Sequence, residues 1–306
     1  MTPGLPMFRR ISAEDRGLIR RMTEPFAPYS EVQPTAMLAW DTNGDGELAI
    51  VNGNLAFKLP HYDGDGYFVT FVGTRQVVKT VRQLLRFAQS QPDVEPRLRR
   101  IPEVAVRHSA GLRSRFAVTP APEDFDYVFA IADLATLAGA DYEEKRRAIR
   151  RLLDEIAAEV RPIDLRDACA QDLMLELFDR WAVLKGVEHR LETATERLAL
   201  QRLFSLAGVA GDDLVGLALV DASGRPLGFC TAEVLDHGYA IGHFEKTDPA
   251  WSGVSALMRQ RIAQHLLARG CRYLNGEPDQ GEQGLRASKL SWSPRFFLRK
   301  YTIAEA

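Results

Sequence analysis

The fold is decided by residues 239–275, which read YAIGHFEKTDPAWSGVSALMRQRIAQHLLARGCRYLN. Residues 239–245 predict a strand. Apolar residues then recur at helical spacing over residues 254–269, and Gly270 stands where helices commonly end in a left-handed conformation. Residues 272–275 are predicted to form a further strand. The segment therefore predicts a strand, a helix and a further strand in succession.

The elements before this segment occur in the same order in both halves of the chain, although no residue-level repeat is visible. In the second half, helices are predicted at residues 173–184 and 191–206, and strands at Leu214–Val220 and residues 226–233. In the first half, Asn, Gly and Asp turns separate short strands that precede a helix at residues 77–88. These strands are predicted at residues 36–40, 48–51, 55–59 and 67–72.

A meander, a helix and a further strand make up the order of an acyltransferase of the GNAT type. Two such orders predict an α/β (α+β) protein of two fused GNAT-like domains, with mixed, mainly antiparallel sheets flanked by helices. An amphipathic helix with Ile149 and Leu152 on its apolar face closes the first half. Pro162 lies in the following segment, residues 160–167. The predicted domains are therefore residues 1–160 and 161–306.

Composition narrows the class of protein. The chain has 306 residues, 46% hydrophobic and 26% charged, which is typical of a globular protein that can bury two cores. Its 39 basic and 41 acidic residues nearly cancel, so any polyanion site must be a local patch. The three cysteines lack metal or redox spacing, and no apolar stretch approaches the about 20 residues that span a bilayer. We expect a bacterial, cytoplasmic protein with reduced thiols.

Familiar cofactor and metal motifs are absent. Asp41, Asn43 and Asp45 resemble the start of a calcium loop, but position twelve is Asn52 and the flanking segments predict strands, so a hairpin turn is favoured. Gly44 and Gly46 have the spacing of a dinucleotide-binding fingerprint, but that motif must open a helix, and here the glycines precede a strand. The sequence contains no Walker A, HExxH or GxSxG motif, and the histidines lack ligand spacing. No cofactor and no metal are predicted.

The end of the strand at residues 239–245 is the first candidate site. His243 and Glu245 stand there, and they could take part in chemistry or form a solvated strand end. The loop after them, residues 246–255, lacks the glycine-rich pattern with which a GNAT enzyme presents backbone N–H groups to the pyrophosphate of coenzyme A. Coenzyme A is therefore disfavoured as the donor.

The densest group of charged residues and glycines follows the strand at residues 272–275. Two glycines within four residues permit sharp backbone geometry, and Arg286 and Lys289 would share one face of a helical turn. A carboxylate, a guanidinium and an ammonium could therefore converge, although a turn with a capped helix explains the same pattern. The residues concerned are Asn275, Asp279, Gly281, Gly284, Arg286 and Lys289.

The C-terminal segment predicts a basic edge for a polyanionic donor, with aromatic residues interleaved. Over residues 285–306, Glu305 is the only opposing charge, and the cations are Arg286, Lys289, Arg295, Arg299 and Lys300. Lys145 is a further candidate, because a helical wheel places it beside the apolar stripe of its helix, pointing towards the seam between the halves. The alternative is that the aliphatic stem of Lys145 packs on the core while its ammonium is solvated.

The run Asn275-Gly-Glu-Pro-Asp279-Gln-Gly281-Glu-Gln-Gly284-Leu-Arg286-Ala-Ser-Lys289, with Pro294 and Lys300-Tyr301, resembles the C-terminal signature of the phosphatidylglycerol lysyltransferase C-terminal domain family, DUF2156. Two other runs are similar to that family. They are Asp126-Tyr127-Val128-Phe129 with Lys145 and Arg146 downstream, and His243-Phe244-Glu245-Lys246. Arg147 stands where the family leads us to expect Asn.

The resemblance implies a tandem GNAT-like fold and transfer of an aminoacyl group from aminoacyl-tRNA to a lipid or small-molecule acceptor. Glu245 or Asp279 would act as base or orient the acceptor, while Arg286 and Lys289 would hold phosphate or stabilise the oxyanion. The implied substrate-binding residues are His243, Asn275, Gly281, Gly284, Lys145 and Arg146, and the implied tRNA-binding residues are Arg295, Arg299 and Lys300.

Two alternatives to the aminoacyltransferase remain open. One is an acyl-CoA N-acyltransferase, which the missing pyrophosphate loop disfavours. The other is a binding protein that keeps the tandem fold without turnover, which the concentration of ionisable residues at one turn disfavours.

Overall fold

A computed structural model describes residues 5–61 and 66–306. Its strands, in chain order, are β1 Arg9–Arg10, β2 Glu47–Val51, β3 Asn54–Pro60, β4 Tyr67–Val72, β5 Val94–Pro102, β6 Phe116–Pro120, β7 Asp126–Ala130, β8 Glu159–Ile163, β9 Leu214–Val220, β10 Pro226–Val234, β11 Tyr239–Thr247, β12 Tyr273–Asn275, β13 Phe296–Leu298 and β14 Lys300–Glu305.

The helices differ widely in length, from a single short turn to five turns. In chain order they are α1 Arg16–Thr23, α2 Pro34–Trp40, α3 Val77–Ser90, α4 Glu103–Arg107, α5 Ile131–Thr136, α6 Glu143–Glu155, α7 Ala168–Lys185, α8 Leu191–Ala210, α9 Val254–Ala268 and α10 Gln283–Leu290. None of the helices in the described ranges combines the length and apolar character needed to cross a membrane.

The chain divides into two compact units. The first comprises residues 1–126 and 298–306, and the second comprises residues 127–297. In the first unit, the sheet has the order β1-β2-β3-β4-β5-β14-β6. Neighbouring strands are antiparallel except for β4 and β5, which are parallel and joined through α3. The apolar face of α3, including Val81 and Leu84, packs on this sheet to form the core.

The sheet of the second unit has the order β13-β7-β12-β11-β10-β9-β8. The pairs β8–β9, β9–β10 and β10–β11 are antiparallel, whereas β11 and β12 are parallel and joined through α9. Helices α5, α6 and α9 contribute to one core with this sheet, which contains Leu134, Leu152 and Leu257. Both units therefore follow an antiparallel meander with a helix and a parallel strand, which confirms the predicted pair of GNAT-like halves.

The parallel pairing of β11 and β12 is short. Tyr239 to Ile241 pair with Tyr273 to Asn275, and β11 then continues to Thr247 beyond the end of β12. A β-bulge interrupts β11 just past that point, because Thr231 opposes Phe244 while Ala232 opposes Gly242. His243 is the extra residue of this bulge. Bulges of this kind redirect side chains next to functional sites.

Two expectations from the sequence need correction. Residues 36–40 are helical, in α2, because Pro34 opens a helix at its first position and because nearly every residue of α2 is buried, which hides the helical periodicity. The division at residue 160 also differs from the structure. Residues 127–160 belong to the second unit, since β7 pairs with β12 and β8 pairs with β9, and β14 returns to the first sheet between β5 and β6.

Candidate functional site

The turn between β12 and α10 is organised around the carboxylate of Asp279, which is fully buried. Arg286 donates two hydrogen bonds to it, from Nε at 2.9 Å and from a terminal nitrogen at 3.0 Å. The hydroxyl of Tyr127 in β7 donates at 2.6 Å, and the backbone N–H of Gly281 donates at 2.8 Å. Asp279 is therefore an anion with all of its oxygens engaged by donors.

These contacts set the charge states at the turn. Burial opposes ionisation of Asp279, but the hydrogen bonds from Arg286, Tyr127 and Gly281 outweigh it and lower the pKa of Asp279. Burial and the hydrogen bond to Asp279 raise the pKa of Tyr127 to about 12, so its hydroxyl stays protonated. The hydrogen bond to Asp279 also raises the pKa of Arg286, so its guanidinium stays charged. The turn therefore contains an ionised aspartate that is held by a neutral phenol and a guanidinium.

Lys289 in α10 binds the backbone of the same turn. Its ammonium donates to three consecutive backbone carbonyls, those of Gly276 at 2.6 Å, Glu277 at 3.0 Å and Pro278 at 2.7 Å. An ammonium has three N–H donors, so these carbonyls account for all of them. Gly276 must be glycine, because a Cβ there would lie 2.8 Å from the ring of Phe129. Lys289 thus shapes the turn and has no donor left for an anion.

Asn275 belongs to the same turn, and its side-chain oxygen accepts a hydrogen bond from the N–H of Glu277 at 2.7 Å. Gly281 adopts a left-handed conformation with φ of 83°, as its place in the turn requires. Gly284 is exposed in α10, and a Cβ added to it would meet nothing within 4 Å. The predicted residues of this turn therefore come together, with Gly284 at its exposed edge.

Glu245 lies in a second polar cluster that surrounds Trp292. Arg259 of α9 forms an ion pair with Glu245 at 3.0 Å, and Ser255 donates to the same carboxylate at 2.7 Å. The ring of the buried Trp292 has two cations over it, the guanidinium of Arg259 and the ammonium of Lys145, each 4.8 Å from the ring centroid.

Lys145 and Arg146 of α6 take up different contacts. The ammonium of Lys145 donates to Ser291 at 2.9 Å, and burial together with the charge of Arg259 lowers the pKa of Lys145. Arg146 donates to the carbonyl oxygens of Leu137 and, at 2.7 Å, Gly139. Arg146 thereby holds the loop before α6.

His243 does not join either cluster. Its side chain is 1% exposed, and its Nε2 atom lies 3.5 Å from a carboxylate oxygen of Glu233 in β10, itself 3% exposed. Neither ring nitrogen has a hydrogen-bond partner within the described part of the chain. Buried polar atoms without partners are uncommon in folded proteins, so this imidazole needs an explanation.

The predicted basic edge is corrected at Lys300. Its ammonium is fully buried and donates to Glu31 at 2.6 Å and to Asp126 at 2.7 Å. Burial alone would lower the pKa of this ammonium, but the two carboxylates outweigh it and raise the pKa of Lys300. A cation held in this way cannot reach a phosphate. Arg295 and Arg299 are both exposed, as predicted.

Several residues of these clusters were not identified as site residues from the sequence. Arg259, Trp292 and Glu233 meet their partners across neighbouring strands and helices, and nothing in their local pattern marks them. Tyr127 could have been identified from the sequence, because it belongs to the run Asp126-Tyr127-Val128-Phe129 that resembles the family. No group of three or more acidic, His or Cys side chains within residues 5–61 and 66–306 is placed to hold a metal ion.

Two fused GNAT-like halves with a charged turn after β12 define an acyltransferase-like protein. The comparison with protein families narrows this class. The family described as phosphatidylglycerol lysyltransferase, C-terminal, matches residues 24–304, and the chain belongs to that family. The match spans both units. No curated protein sequence matches the chain.

Solved structures share the fold over nearly the whole chain. A conserved protein of unknown function from Bacteroides thetaiotaomicron VPI-5482 is 24% identical, with a TM-score of 0.83, and the match covers 99% of this chain and 100% of that one. L-PGS from Bacillus licheniformis is 12% identical with a TM-score of 0.63, over 97% and 93% of the two chains. The C-terminal domain (DUF2156) of a proposed lysylphosphatidylglycerol synthetase from Agrobacterium fabrum is 13% identical with a TM-score of 0.62, over 96% and 92%.

Proposed function

We propose that this chain is an aminoacyltransferase that moves an aminoacyl group from aminoacyl-tRNA to a small-molecule or lipid acceptor. The observation that carries the proposal is the family match over residues 24–304, which includes the whole charged turn from Asn275 to Lys289. The family's description names a lysyltransferase, and a lysyl group is one aminoacyl group.

Arg286 is the group at the turn best suited to meet an anion of the donor. Asp279 uses two of its five N–H donors, and its side chain is 42% exposed. The remaining donors could bind a phosphate or the oxyanion that develops when the ester is attacked. Asp279, Tyr127 and Lys289 would act indirectly, by fixing the position of Arg286 and the path of the turn.

The outer face of α6 supports a polyanionic donor. Arg147, Arg150 and Arg151 are exposed there, although Arg147 forms an ion pair with Glu143 one turn away. The contact between Lys145 and Ser291 brings α6 next to the segment that follows α10. Asp154 is exposed on the same face, so Arg150 and Arg151 are the cations of α6 that we expect to meet phosphates of the donor.

The alternative donor, an acyl-CoA, is disfavoured by the loop before α9. Asp248 in that loop is buried, and its carboxylate accepts the N–H of Ala250 at 3.0 Å and pairs with Arg225 at 3.1 Å. Gly253 caps α9 with φ of 95°, and a Cβ on it would lie 2.4 Å from the carbonyl oxygen of Ala148 in α6. The N-terminus of α9, which would have to receive the pyrophosphate, is therefore packed against α6.

The decisive experiment uses tRNA charged with a pool of labelled amino acids. Purified protein should transfer label to phosphatidylglycerol vesicles or to a mixture of small-molecule amines and alcohols, whereas acetyl-CoA should neither donate nor bind at low micromolar concentration. Transfer from acetyl-CoA would establish the acyl-CoA alternative. tRNA binding without transfer or deacylation would favour the binding protein.

Binding to tRNA should also depend on salt. If three cations meet phosphates, the slope of log affinity against log salt concentration should be roughly −2 to −3. The double variant Arg295→Ala with Arg299→Ala should have a shallower slope while remaining folded. Absence of tRNA binding at low salt would remove the donor from the proposal.

A further inference from the structure

The bulge in β11 places an imidazole and a carboxylate side by side at the level where the parallel strands part. Glu233 opposes Ile241, and Ile241 in turn pairs with Asn275 of β12. His243 follows two residues after Ile241, beyond the last residue of β12. The extra residue in the bulge brings the side chains of His243 and Glu233 to the same side of the sheet, with 3.5 Å between Nε2 and the carboxylate oxygen.

Gly242, the residue before His243, is half-exposed, and a Cβ added to it would be in ordinary van der Waals contact with atoms of Asn275 and Leu274, at 3.9 Å. The backbone next to the buried imidazole therefore reaches the surface at a residue without a side chain. The two ring nitrogens of His243 are buried without hydrogen-bond partners in the described residues, so one of them can still receive a proton or a hydrogen bond.

Glu245 and Asp279, one of which was predicted to act as the base or to orient the acceptor, are both engaged by other groups of the protein. Glu245 is held by Arg259 and Ser255, and Asp279 is held by Arg286, Tyr127 and Gly281. The donors on Asp279 lower its pKa, which makes this carboxylate a weak proton acceptor. Both oxygens of Glu245 are already engaged, one by Ser255 and the other by Arg259. The reaction in the proposed function nevertheless requires a group that takes the proton of the attacking nucleophile.

We propose that His243 is this proton acceptor, and that Glu233 orients its ring; this rests on the proposed function. The acceptor's amine or hydroxyl attacks the ester carbonyl of the aminoacyl-tRNA and forms a new C–N or C–O bond. His243 takes the proton that the nucleophile loses. The tetrahedral intermediate then breaks its bond to the ribose oxygen, and His243 returns the proton to that oxygen, so the imidazole ends neutral as it began.

Kinetics of a single turnover test the role of His243. His243→Gln should slow transfer by about 10²–10⁴-fold with little change in the Kd for tRNA, and Glu233→Gln should slow it by a smaller factor. Added imidazole should restore part of the activity of His243→Ala, which a merely structural role would not allow. Glu196→Gln is the matched control, because Glu196 pairs with Lys246 of the same strand at 2.6 Å. Wild-type rates in His243→Gln would overturn the proposal.

A binding readout separates this inference from the proposed function. Protein with ¹³C-labelled histidine would be titrated with a 3′-aminoacylamino-3′-deoxyadenosine, a stable mimic of the charged 3′ end of tRNA. The His243 resonance, assigned through His243→Gln, should shift on binding and should move in Glu233→Gln without ligand. If wild-type protein transfers nothing, the proposed function fails, and a shift of His243 would still support its contact with the ligand. Binding of the mimic without any shift, or no binding, would overturn the inference.

Discussion

The hydroxyl of Tyr127 donates a hydrogen bond of 2.6 Å to the carboxylate of Asp279, which lies 152 residues further along the chain. The bond ties β7 to the turn after β12, and the same carboxylate receives the guanidinium of Arg286. The motif that the sequence displays after residue 275 is therefore anchored by a residue at the start of the second unit.

Tyr127→Phe should destabilise the protein. The ring stays, but a buried hydrogen bond to a charged group is lost, which should lower the free energy of unfolding by about 1.5–3 kcal/mol. Denaturant titration measures this change. Tyr273→Phe, in the neighbouring strand β12 and only partly buried, serves as the control and should change stability less. Equal effects in the two variants would contradict the role assigned to the Tyr127 hydroxyl.

Loss of Arg286 should affect function more than loss of Arg295. Arg286→Ala removes the proposed anion donor and releases the turn, so transfer activity should fall sharply, and Arg286→Lys should recover little because an ammonium cannot form the paired hydrogen bonds to Asp279. Arg295→Ala should mainly weaken tRNA binding. Initial rates and tRNA affinity measured on the three variants check this. Full activity in Arg286→Lys would argue against the geometry of the guanidinium being required.

The stability that Asp279 provides should depend on pH. Its pKa is lower in the folded protein than the about 3.9 of an unfolded chain. Its stabilisation is therefore complete above that unfolded value and is lost as the pH falls through the folded value. The difference in unfolding free energy between wild type and Asp279→Asn should be constant from pH 7 to 5 and shrink below pH 4. A difference that grows on acidification would be contrary to the sign of the shift.

Lys300 and its neighbour Arg299 should separate stability from tRNA binding. Lys300→Met leaves the buried carboxylates of Glu31 and Asp126 without their cation, which should cost about 3–5 kcal/mol. Arg299 is exposed, and Arg299→Ala should leave the melting temperature nearly unchanged while reducing tRNA affinity. Thermal unfolding and tRNA titration on both variants provide the measurement. A stable Lys300→Met protein that binds tRNA poorly would instead place Lys300 at the tRNA-binding edge.

Two glycines of the second unit should respond in opposite ways to replacement by alanine. Gly253→Ala should destabilise by at least about 1–2 kcal/mol because of its left-handed backbone, and the added methyl group would also meet the Ala148 carbonyl at 2.4 Å. Gly284→Ala in α10 has open space and should be neutral or stabilising by up to about 1 kcal/mol. Chemical denaturation compares them. A neutral Gly253→Ala would imply that α6 does not cover the start of α9.

The sequence by itself determined the elements whose burial is one-sided and the groups that lie close along the chain. Residues 77–88 show helical spacing because α3 packs one face on its sheet. Asp279, Arg286 and Lys289 could be predicted to converge because one turn and one helix connect them. The tertiary structure alone decided which distant groups meet. Helix α2 was hidden because burial on all sides leaves no period, and no local pattern tells that Lys300 is buried between Glu31 and Asp126, residues 269 and 174 positions away. The same holds for Glu233 and His243, since a one-residue bulge, which no periodicity reveals, turns the imidazole towards the carboxylate. Charge and polarity are written in the sequence, whereas burial and pairing, which set their energy and reactivity, depend on neighbours that only the folded chain supplies.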